Sequence, residues 1–208
     1  MWLRSAQQLF ALREYDPAAN AARQVVTHMP PMPRTDERAA WSIIADSSFE
    51  LGRFDESEGA YTEVLARLEA DAKERAGVTE RLGASVYKQG ESRQQAGDIA
   101  GAVADFLRVA TAAPGSRLVA NAQFDAATLL LRERDWNRAI PILEAFRRDY
   151  PDNELTRTVP RNLAVAYAES GRHHEAAVEF ERVADDRAED AAFRRSALLQ
   201  AAEFYERT

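Results

Sequence analysis

The sequence repeats one residue pattern five times, and this feature limits the fold more than any other. Each copy begins with a ring-bearing residue or isoleucine, has a small residue three positions later, and continues with apolar residues four and seven positions after that. The first residue of each copy, here called the marker, is Tyr15, Phe54, Ile99, Trp136 and His173, so the spacings are 39, 45, 37 and 37. A near-constant period in the thirties indicates an array of helical repeats that stack to bury a core.

The composition agrees with helices throughout. Alanine, the strongest helix former, supplies 40 of 208 residues, while glycine and proline supply only nine and eight. The repeat register predicts that much of this alanine lies where two antiparallel helices approach closely, since small residues permit such contacts. The alanines expected at these contacts are Ala18, Ala45, Ala102, Ala127, Ala139, Ala164, Ala176 and Ala202.

Glycine and proline recur at fixed positions in the copies. Gly52, Gly97 and Gly171 each lie two residues before a marker, where a glycine with φ > 0 can end one helix before the next begins. Proline follows 15 residues after three markers, where it stops the second helix. Each copy therefore reads as a helix, a short turn and a second helix.

The register resembles that of the tetratricopeptide repeat family over nearly the whole chain. Repeat two has the family positions at Trp41, Ile44-Ala45, Ser48, Gly52, Phe54, Ser57, Tyr61 and Val64, and repeat five has them at Leu163-Ala164, Tyr167, Gly171, His173, Ala176, Phe180 and Val183. Repeats one and four follow the same register, and repeat three follows it in its second helix but is irregular in its first, with Val86, Gln89-Gly90 and Arg93 at the family positions. The resemblance implies an all-α, right-handed superhelical solenoid of antiparallel helix pairs, with about eleven helices.

The expected repeats span residues 1–34, 35–78, 79–117, 118–154 and 155–190, followed by a half repeat at 191–208. We interpret them as one solenoid cut from a longer array, with a true terminal cap as the alternative for the last helix. Three irregularities are expected: an extended connector over residues 29–34, a helix continuing through Ala66–Arg75 before the next begins as early as Thr79, and a kink or displaced helix start at Pro141.

Composition and spacing exclude most chemistry. Without cysteine, disulfide frameworks, zinc fingers and cysteine nucleophiles are absent. A net charge of −7 makes the chain a poor partner for nucleic acid, and no apolar run is long enough for membrane insertion. The adjacent His173-His174 lack the spacing of helical metal ligands and are expected in a solvated turn. We therefore predict no enzyme, no metal and no cofactor.

A binding surface is what remains. The resemblance implies that the first helices of the repeats line a concave groove, and Lys88 alone carries a suitable charge at a position of the family's carboxylate clamp, so no such clamp is expected. Tyr87 and Phe124 have an equally plausible role in packing against the next repeat. The residues expected to contact a protein or peptide partner are Phe49, Tyr87, Lys88, Glu91, Phe124, Asp125, Thr128, Arg161 and Asn162.

Three functions stay open at this point. The first is a non-catalytic scaffold that binds a peptide or protein segment in the groove, and the second is a structural spacer with no ligand of its own. The third is an accessory that shapes the substrate path of a larger machine. Exposed apolar ends also make end-to-end self-association an expectation.

One segment resembles a narrower group within the family. The stretch Phe146–Asp152 has the ring-proline-polar turn of bacterial envelope members, which include outer-membrane assembly lipoproteins and the periplasmic partner of the Tol–Pal system. This resemblance implies a bacterial protein of the periplasm or outer membrane that acts in envelope assembly, and it leaves the cytoplasm open.

Overall fold

The computed structural model describes residues 1–28 and 30–208. Within these ranges the chain forms eleven α-helices, a single 3-10 turn at Glu154–Thr158 and no β-strand, which confirms the all-α prediction. The helices are α1 (Trp2–Ala11), α2 (Tyr15–Val26), α3 (Arg34–Glu50), α4 (Phe54–Ala66), α5 (Arg75–Gln95), α6 (Ile99–Ala112), α7 (Leu118–Arg132), α8 (Trp136–Asp149), α9 (Val159–Glu169), α10 (His173–Asp185) and α11 (Ala191–Glu206). Of the connector predicted over residues 29–34, Met29 lies outside the described residues and Arg34 already begins α3.

The chain divides into two compact units, Met1–Val119 and Ala120–Thr208, here called the N-terminal and C-terminal units. In the N-terminal unit each helix from α1 to α6 packs on the next one, around a core that includes Ile44 and Leu82. In the C-terminal unit α8 to α11 pack in the same successive way, and Leu143 and Leu163 lie in its core. Because the helices of a pair are joined by short turns, they run antiparallel.

Each helix pair is joined by a three-residue turn that contains one left-handed residue. Three of these residues are the predicted glycines, with φ from +72° at Gly52 to +79° at Gly97. In the α3–α4 turn the Arg53 N–H donates to the Ser48 carbonyl, so the end of α3 is capped by the backbone. Repeats one and four have no glycine there, and Arg13 (φ 62°) and Arg134 (φ 58°) take the left-handed conformation instead.

The alanine prediction holds at seven of its eight positions. Ala18, Ala45, Ala102, Ala127, Ala139, Ala164 and Ala176 are all fully buried. Ala202 is exposed, and the prediction is wrong there. In α11 the residues buried against α10 are Ala197 and Ala201, and no later helix within the described residues covers the face that carries Ala202.

The long spacing between the second and third markers is accommodated differently from the prediction. α4 ends at Ala66 rather than continuing to Arg75, and the extra residues form a connector and an extended amino end of α5. The connector is held because Leu68 is buried and the Arg75 guanidinium donates to the Leu65 and Leu68 carbonyls, at 3.2 and 3.4 Å. These carbonyls would otherwise lack partners at the end of the helix.

Pro141 lies within α8 without moving its beginning. α8 starts at the marker Trp136 and continues to Asp149. Proline removes the N–H that would bond to the Asn137 carbonyl, but both residues are exposed, so water can satisfy that carbonyl. Of the two expected effects, the displaced helix start does not occur.

Candidate functional site

An open cleft lies on the N-terminal unit and is lined mainly by the first helices of its repeats. Residues of α1, α3 and α5 contribute most of the lining, and α4 contributes one side chain. The cleft encloses about 320 Å³, which is at the lower end of ligand-site volumes and suits one or two side chains of a bound segment. This Phe49 cleft is lined by Phe10, Asp46, Phe49, Glu50, Tyr61, Arg81 and Ala84.

Two aromatic rings form the apolar part of the cleft, and both are fixed in place by a neighbouring ring. Phe10 contacts Tyr15 edge-on with 5.6 Å between ring centroids, and Phe49 contacts Phe54 in the same way at 5.3 Å. Each ring lies five residues before a marker, so the three-residue turn returns the chain to the correct place for this contact. Because edge-on ring pairs are favourable, the half-buried rings are positioned before any partner binds.

A carboxylate with two donors forms the polar wall. Asp46 accepts hydrogen bonds from the Tyr61 hydroxyl and from the Arg81 guanidinium, which joins α3 to α4 and α5. Burial, and secondly the bond to Asp46, raise the pKa of Tyr61 well above its ordinary value, while attraction to Asp46 raises the pKa of Arg81. Tyr61 therefore stays neutral and Arg81 stays charged, and both are committed to Asp46.

Glu50 is the second carboxylate of the cleft, and unlike Asp46 it is not paired within the described residues. It lies one helical turn after Asp46, so both side chains project from the same face of α3. Glu50 is exposed, and it has no hydrogen bond or ion pair with any residue in the described part of the chain. The cleft thus presents a free negative charge at its edge beside the Phe49 ring.

The predicted contacts on α5 lie near this cleft but are already engaged. The Tyr87 ring contacts Phe106 of the same repeat, with 5.0 Å between centroids. Lys88 forms an ion pair with Glu91, and it lies one turn beyond Ala84, whose side chain lines the cleft. Lys88 therefore extends the same face of α5 away from the Phe49 cleft.

In the C-terminal unit the predicted contacts are also mostly packed against their own surroundings. Phe124 contacts the buried Phe146 ring at 5.4 Å, within its own repeat rather than the next. The Arg161 guanidinium lies 2.7 Å from Glu189 and 4.4 Å from the centre of the Phe193 ring. The remaining predicted contacts of this unit are half-buried side chains of α7 and α9, namely Asp125, Thr128 and Asn162.

A second cleft, of about 350 Å³, surrounds Arg161 in the C-terminal unit. Its charges largely neutralise one another: Arg161 pairs with Glu189 at 2.7 Å, and Arg157 lies 3.6 Å from Asp186. This Arg161 cleft is lined by Glu154, Arg157, Thr158, Pro160, Arg161, Arg182, Val183, Asp186 and Glu189. Glu154 is exposed and has no hydrogen bond or ion pair within the described residues, but the lining contains no aromatic ring and its three arginines balance its three carboxylates.

A further cleft of the N-terminal unit, of about 520 Å³, lies beside the α3–α4 turn. Both arginines of its lining already form ion pairs: Arg53 pairs with Asp16 at 2.6 Å, and Arg93 lies 3.1 Å from the buried Asp105. These pairs hold the turn against neighbouring helices. Both arginines therefore have a structural role.

The two adjacent histidines do not lie in a solvated turn as predicted. They begin α10 and contact α11: the His173 ring stacks on Phe204 at 5.6 Å, and the His174 ring meets Tyr205 edge-on at 5.7 Å. The turn is complete before His173, so the His173 ring is half-buried against α11, while the His174 side chain stays exposed. The described residues contain no group of three His, Asp or Glu side chains that could hold a metal ion.

Six of the seven lining residues of the Phe49 cleft were not among the predicted contacts, and three of them show why. Phe10 could have been found, because it stands at the same distance before its marker as Phe49 does. Tyr61 was assigned to the core by its register, and it is indeed buried, but its hydroxyl reaches the cleft. Arg81 could not have been placed, because its position depends on how the long connector before α5 folds.

The helices in the described residues give no candidate for a membrane crossing, since none of them is both long and apolar enough. The observation concerns these helices alone.

No curated protein matches the chain. Similar solved structures include MamA from AMB-1, at 19% identity over 91% of both chains and a TM-score of 0.44. Others are the P58(IPK) TPR domain, at 18% identity over 97% of this chain and 54% of that chain (TM-score 0.48), and YrrB, described as a TPR protein with an unusual peptide-binding site, at 13% identity over 94% and 89% (TM-score 0.42). Likenesses of this strength say nothing about function.

The family comparison is more direct. The family model described as tetratricopeptide repeat matches residues 87–154 and 124–192, which together cover just over half of the 208 residues. The same residues form helix pairs joined by three-residue turns. The chain belongs to the tetratricopeptide repeat family.

Proposed function

We propose that this chain is a non-catalytic scaffold that binds a peptide or protein segment, with the Phe49 cleft as its main contact. Proteins of this family are generally protein–protein interaction scaffolds. The single observation that supports the site is the combination in one cleft of two pre-positioned rings, a satisfied ion pair and an uncommitted carboxylate. Rings fixed in a cleft and surrounded by polar groups are typical of binding hot spots.

The proposal ranks the expected contacts by what they already touch. Phe49 is the primary contact, and Lys88, Tyr87 and Glu91 continue the same surface along α5. The contacts expected in the C-terminal unit are proposed as a weaker second surface, because Phe124 lines neither cleft and Arg161 already pairs with Glu189. These contacts are Phe124, Asp125, Thr128, Arg161 and Asn162.

A phage-displayed library of random peptides tests the proposal. The immobilised chain should enrich a set of peptides, and the affinity of these peptides should change when Arg81 is replaced by alanine, because Asp46 in the cleft then loses its ion-pair partner. Arg34→Ala is the matched control: Arg34 has the same 60% side-chain exposure and also forms an ion pair, but it does not line the cleft. Equal affinities for the two variants would contradict the site.

The alternative is a structural spacer, and one observation favours it for the C-terminal unit. There the charged side chains around Arg161 pair largely with one another, as expected of a surface that holds helices together. Failure of the library to enrich any peptide on the full chain, while the chain remains folded by circular dichroism, would favour the spacer over the scaffold.

The proposal also includes a location and a state of association. The resemblance of Phe146–Asp152 to envelope members supports a bacterial, periplasmic or outer-membrane location with a role in envelope assembly, which fractionation of cells producing the native protein would test.

Exposed Trp2, Leu198 and Leu199 support end-to-end self-association. Light scattering over a wide concentration range should then give a rising mass, and a constant monomer mass would contradict it.

A further inference from the structure

We propose that the residue received by the Phe49 cleft is basic, an arginine or lysine of the partner, an inference that rests on the proposed function. The cleft has two carboxylates, and the difference between them carries the inference. Asp46 already accepts from Tyr61 and Arg81, whereas Glu50 has no partner among the described residues. An unpaired carboxylate at the edge of a cleft attracts a cation.

The position of Glu50 suits a cation on a long apolar stem. Glu50 follows Phe49 directly, and Phe10 supplies a second half-buried ring to the same cleft. An arginine or lysine can lay its methylene groups on apolar surface while its charged head reaches a polar rim. A cation near an aromatic face gains a further attraction. The rings and Glu50 thus match the two parts of one basic side chain.

An acidic partner residue fits less well. Arg81 is the single cation in the lining, and its charge is matched by Asp46 in direct contact. With Asp46, Glu50 and Arg81 ionised, the lining carries a net charge of −1, on a chain whose net charge is −7. The long-range field therefore attracts basic segments and repels acidic ones.

Three peptide libraries of otherwise random sequence test the inference, each with one fixed central residue: arginine, glutamate or norleucine. Norleucine retains an unbranched apolar stem and lacks the charge. The chain should enrich the arginine library most, and peptides from it should lose about tenfold in affinity when their central arginine is changed to norleucine, because the charge contact and the cation–ring attraction are both lost.

The matching variant of the protein is Glu50→Gln, which removes the charge and keeps the shape. It should lower the affinity of the arginine peptides and leave that of the norleucine peptides unchanged. Glu133→Gln is the control, since Glu133 is also exposed and unpaired in the described residues and stands at the end of a first helix, three residues before its marker. It should change neither affinity.

The outcomes separate the two proposals. Enrichment of glutamate or norleucine peptides that depend on Phe49 would overturn the basic-partner inference and retain the proposed function. Arginine peptides whose affinity is the same for wild type and Glu50→Gln would also overturn it. Enrichment of none of the three libraries would overturn the proposed function itself.

Discussion

The Phe49 cleft and the Arg161 cleft are similar in volume and differ in their apolar lining and in their charge balance. In the Arg161 cleft, Arg161 and Arg157 each have a carboxylate partner within the C-terminal unit. Each cleft has one exposed carboxylate without a partner in the described residues, Glu50 in one and Glu154 in the other. Only the lining of the Phe49 cleft combines this carboxylate with aromatic rings and a negative net charge, so the two clefts differ in what they offer a partner.

The difference continues into the core. Behind the Arg161 cleft, the buried Glu179 is held by Arg147 and Arg182 at 2.7–2.9 Å. A buried carboxylate needs such partners because an unpaired charge in the interior is costly. The Asp46–Arg81 pair of the other cleft is more exposed, with Arg81 at 60%. The comparison therefore predicts a structural role for the charges of one cleft and a binding role for those of the other.

The largest expected effect is on stability and concerns Arg147. Arg147→Met should lower the free energy of unfolding by about 2–3 kcal/mol, because Glu179 stays buried with one partner fewer. Arg81→Met should lower it by less than about 1 kcal/mol, since exposed ion pairs contribute little. Urea unfolding followed by circular dichroism measures both. Equal losses for the two variants would remove the proposed difference between the clefts.

The next effect is on binding. Phe49→Ala should weaken an enriched peptide by about tenfold, the loss typical of a central aromatic contact. Phe124→Ala should weaken the same peptide by less than about threefold, because the Phe124 ring lines neither the Phe49 cleft nor the Arg161 cleft. Isothermal titration calorimetry on both variants gives the comparison. A larger loss for Phe124→Ala would move the main contact to the C-terminal unit.

As the pH falls, the chain should lose more stability through Glu56 in the N-terminal unit than through Glu175 in the C-terminal unit. Burial alone would raise the pKa of Glu56, but hydrogen bonds from Arg23 and Ser48 outweigh it, so the pKa lies below its ordinary value of 4.5. The stability that this carboxylate contributes is therefore present above the unfolded-state pKa and is lost as pH falls through the lower, folded-state pKa. In Glu56→Gln, the free energy of unfolding should therefore fall less steeply than in the wild type as the pH is lowered.

Glu175→Gln is the matched change in the other unit. The pKa of Glu175 is also lowered, mainly by a hydrogen bond from Arg172, but this pair lies on the surface and joins residues of one turn. We expect a smaller change in the acid side of the curve, because exposed pairs are screened by solvent. A larger change for Glu175→Gln than for Glu56→Gln would contradict this order.

The smallest effect concerns the two left-handed arginines, one in each unit. Arg13→Gly and Arg134→Gly should each raise the free energy of unfolding by about 0.5–1 kcal/mol, because glycine avoids the left-handed penalty and loses part of the gain to chain entropy. Arg195→Gly, within the exposed face of α11, should instead lower it by about 1 kcal/mol. Loss of stability at Arg13 or Arg134 would show that these side chains hold their turns.

The register predicted most of the fold and less of the site. The fixed distances between markers, turn glycines and alanines place the helices, because packing of helix pairs repeats with the sequence. The prediction of a buried Ala202 was wrong because a position in the register is buried only when a neighbouring helix covers it. The prediction also failed for the connector before α5, because no other repeat contains this segment. Its conformation depends on the buried Leu68 and on the two carbonyls that accept from Arg75.

The site depended on particulars that the register does not contain. Tyr87 and Phe124 were assigned to the groove by position, yet each ring contacts the second helix of its own repeat. Whether a side chain is free depends on which partners lie across the helix interface. Glu50 and Asp46 are both acidic residues on one face of α3, and the positions of Tyr61 on α4 and Arg81 on α5 separate the paired carboxylate from the unpaired one.

The most direct test of the central claim uses the two lysines of the chain. Lys88 lies on the proposed surface one turn beyond the Phe49 cleft, and Lys73 lies exposed in the connector before α5. Acetylation of each lysine is measured by mass spectrometry with and without a saturating library-derived peptide. The account predicts that the peptide protects Lys88 in proportion to occupancy and leaves Lys73 unchanged. Binding of the peptide with no protection of Lys88 would contradict the assignment of this surface.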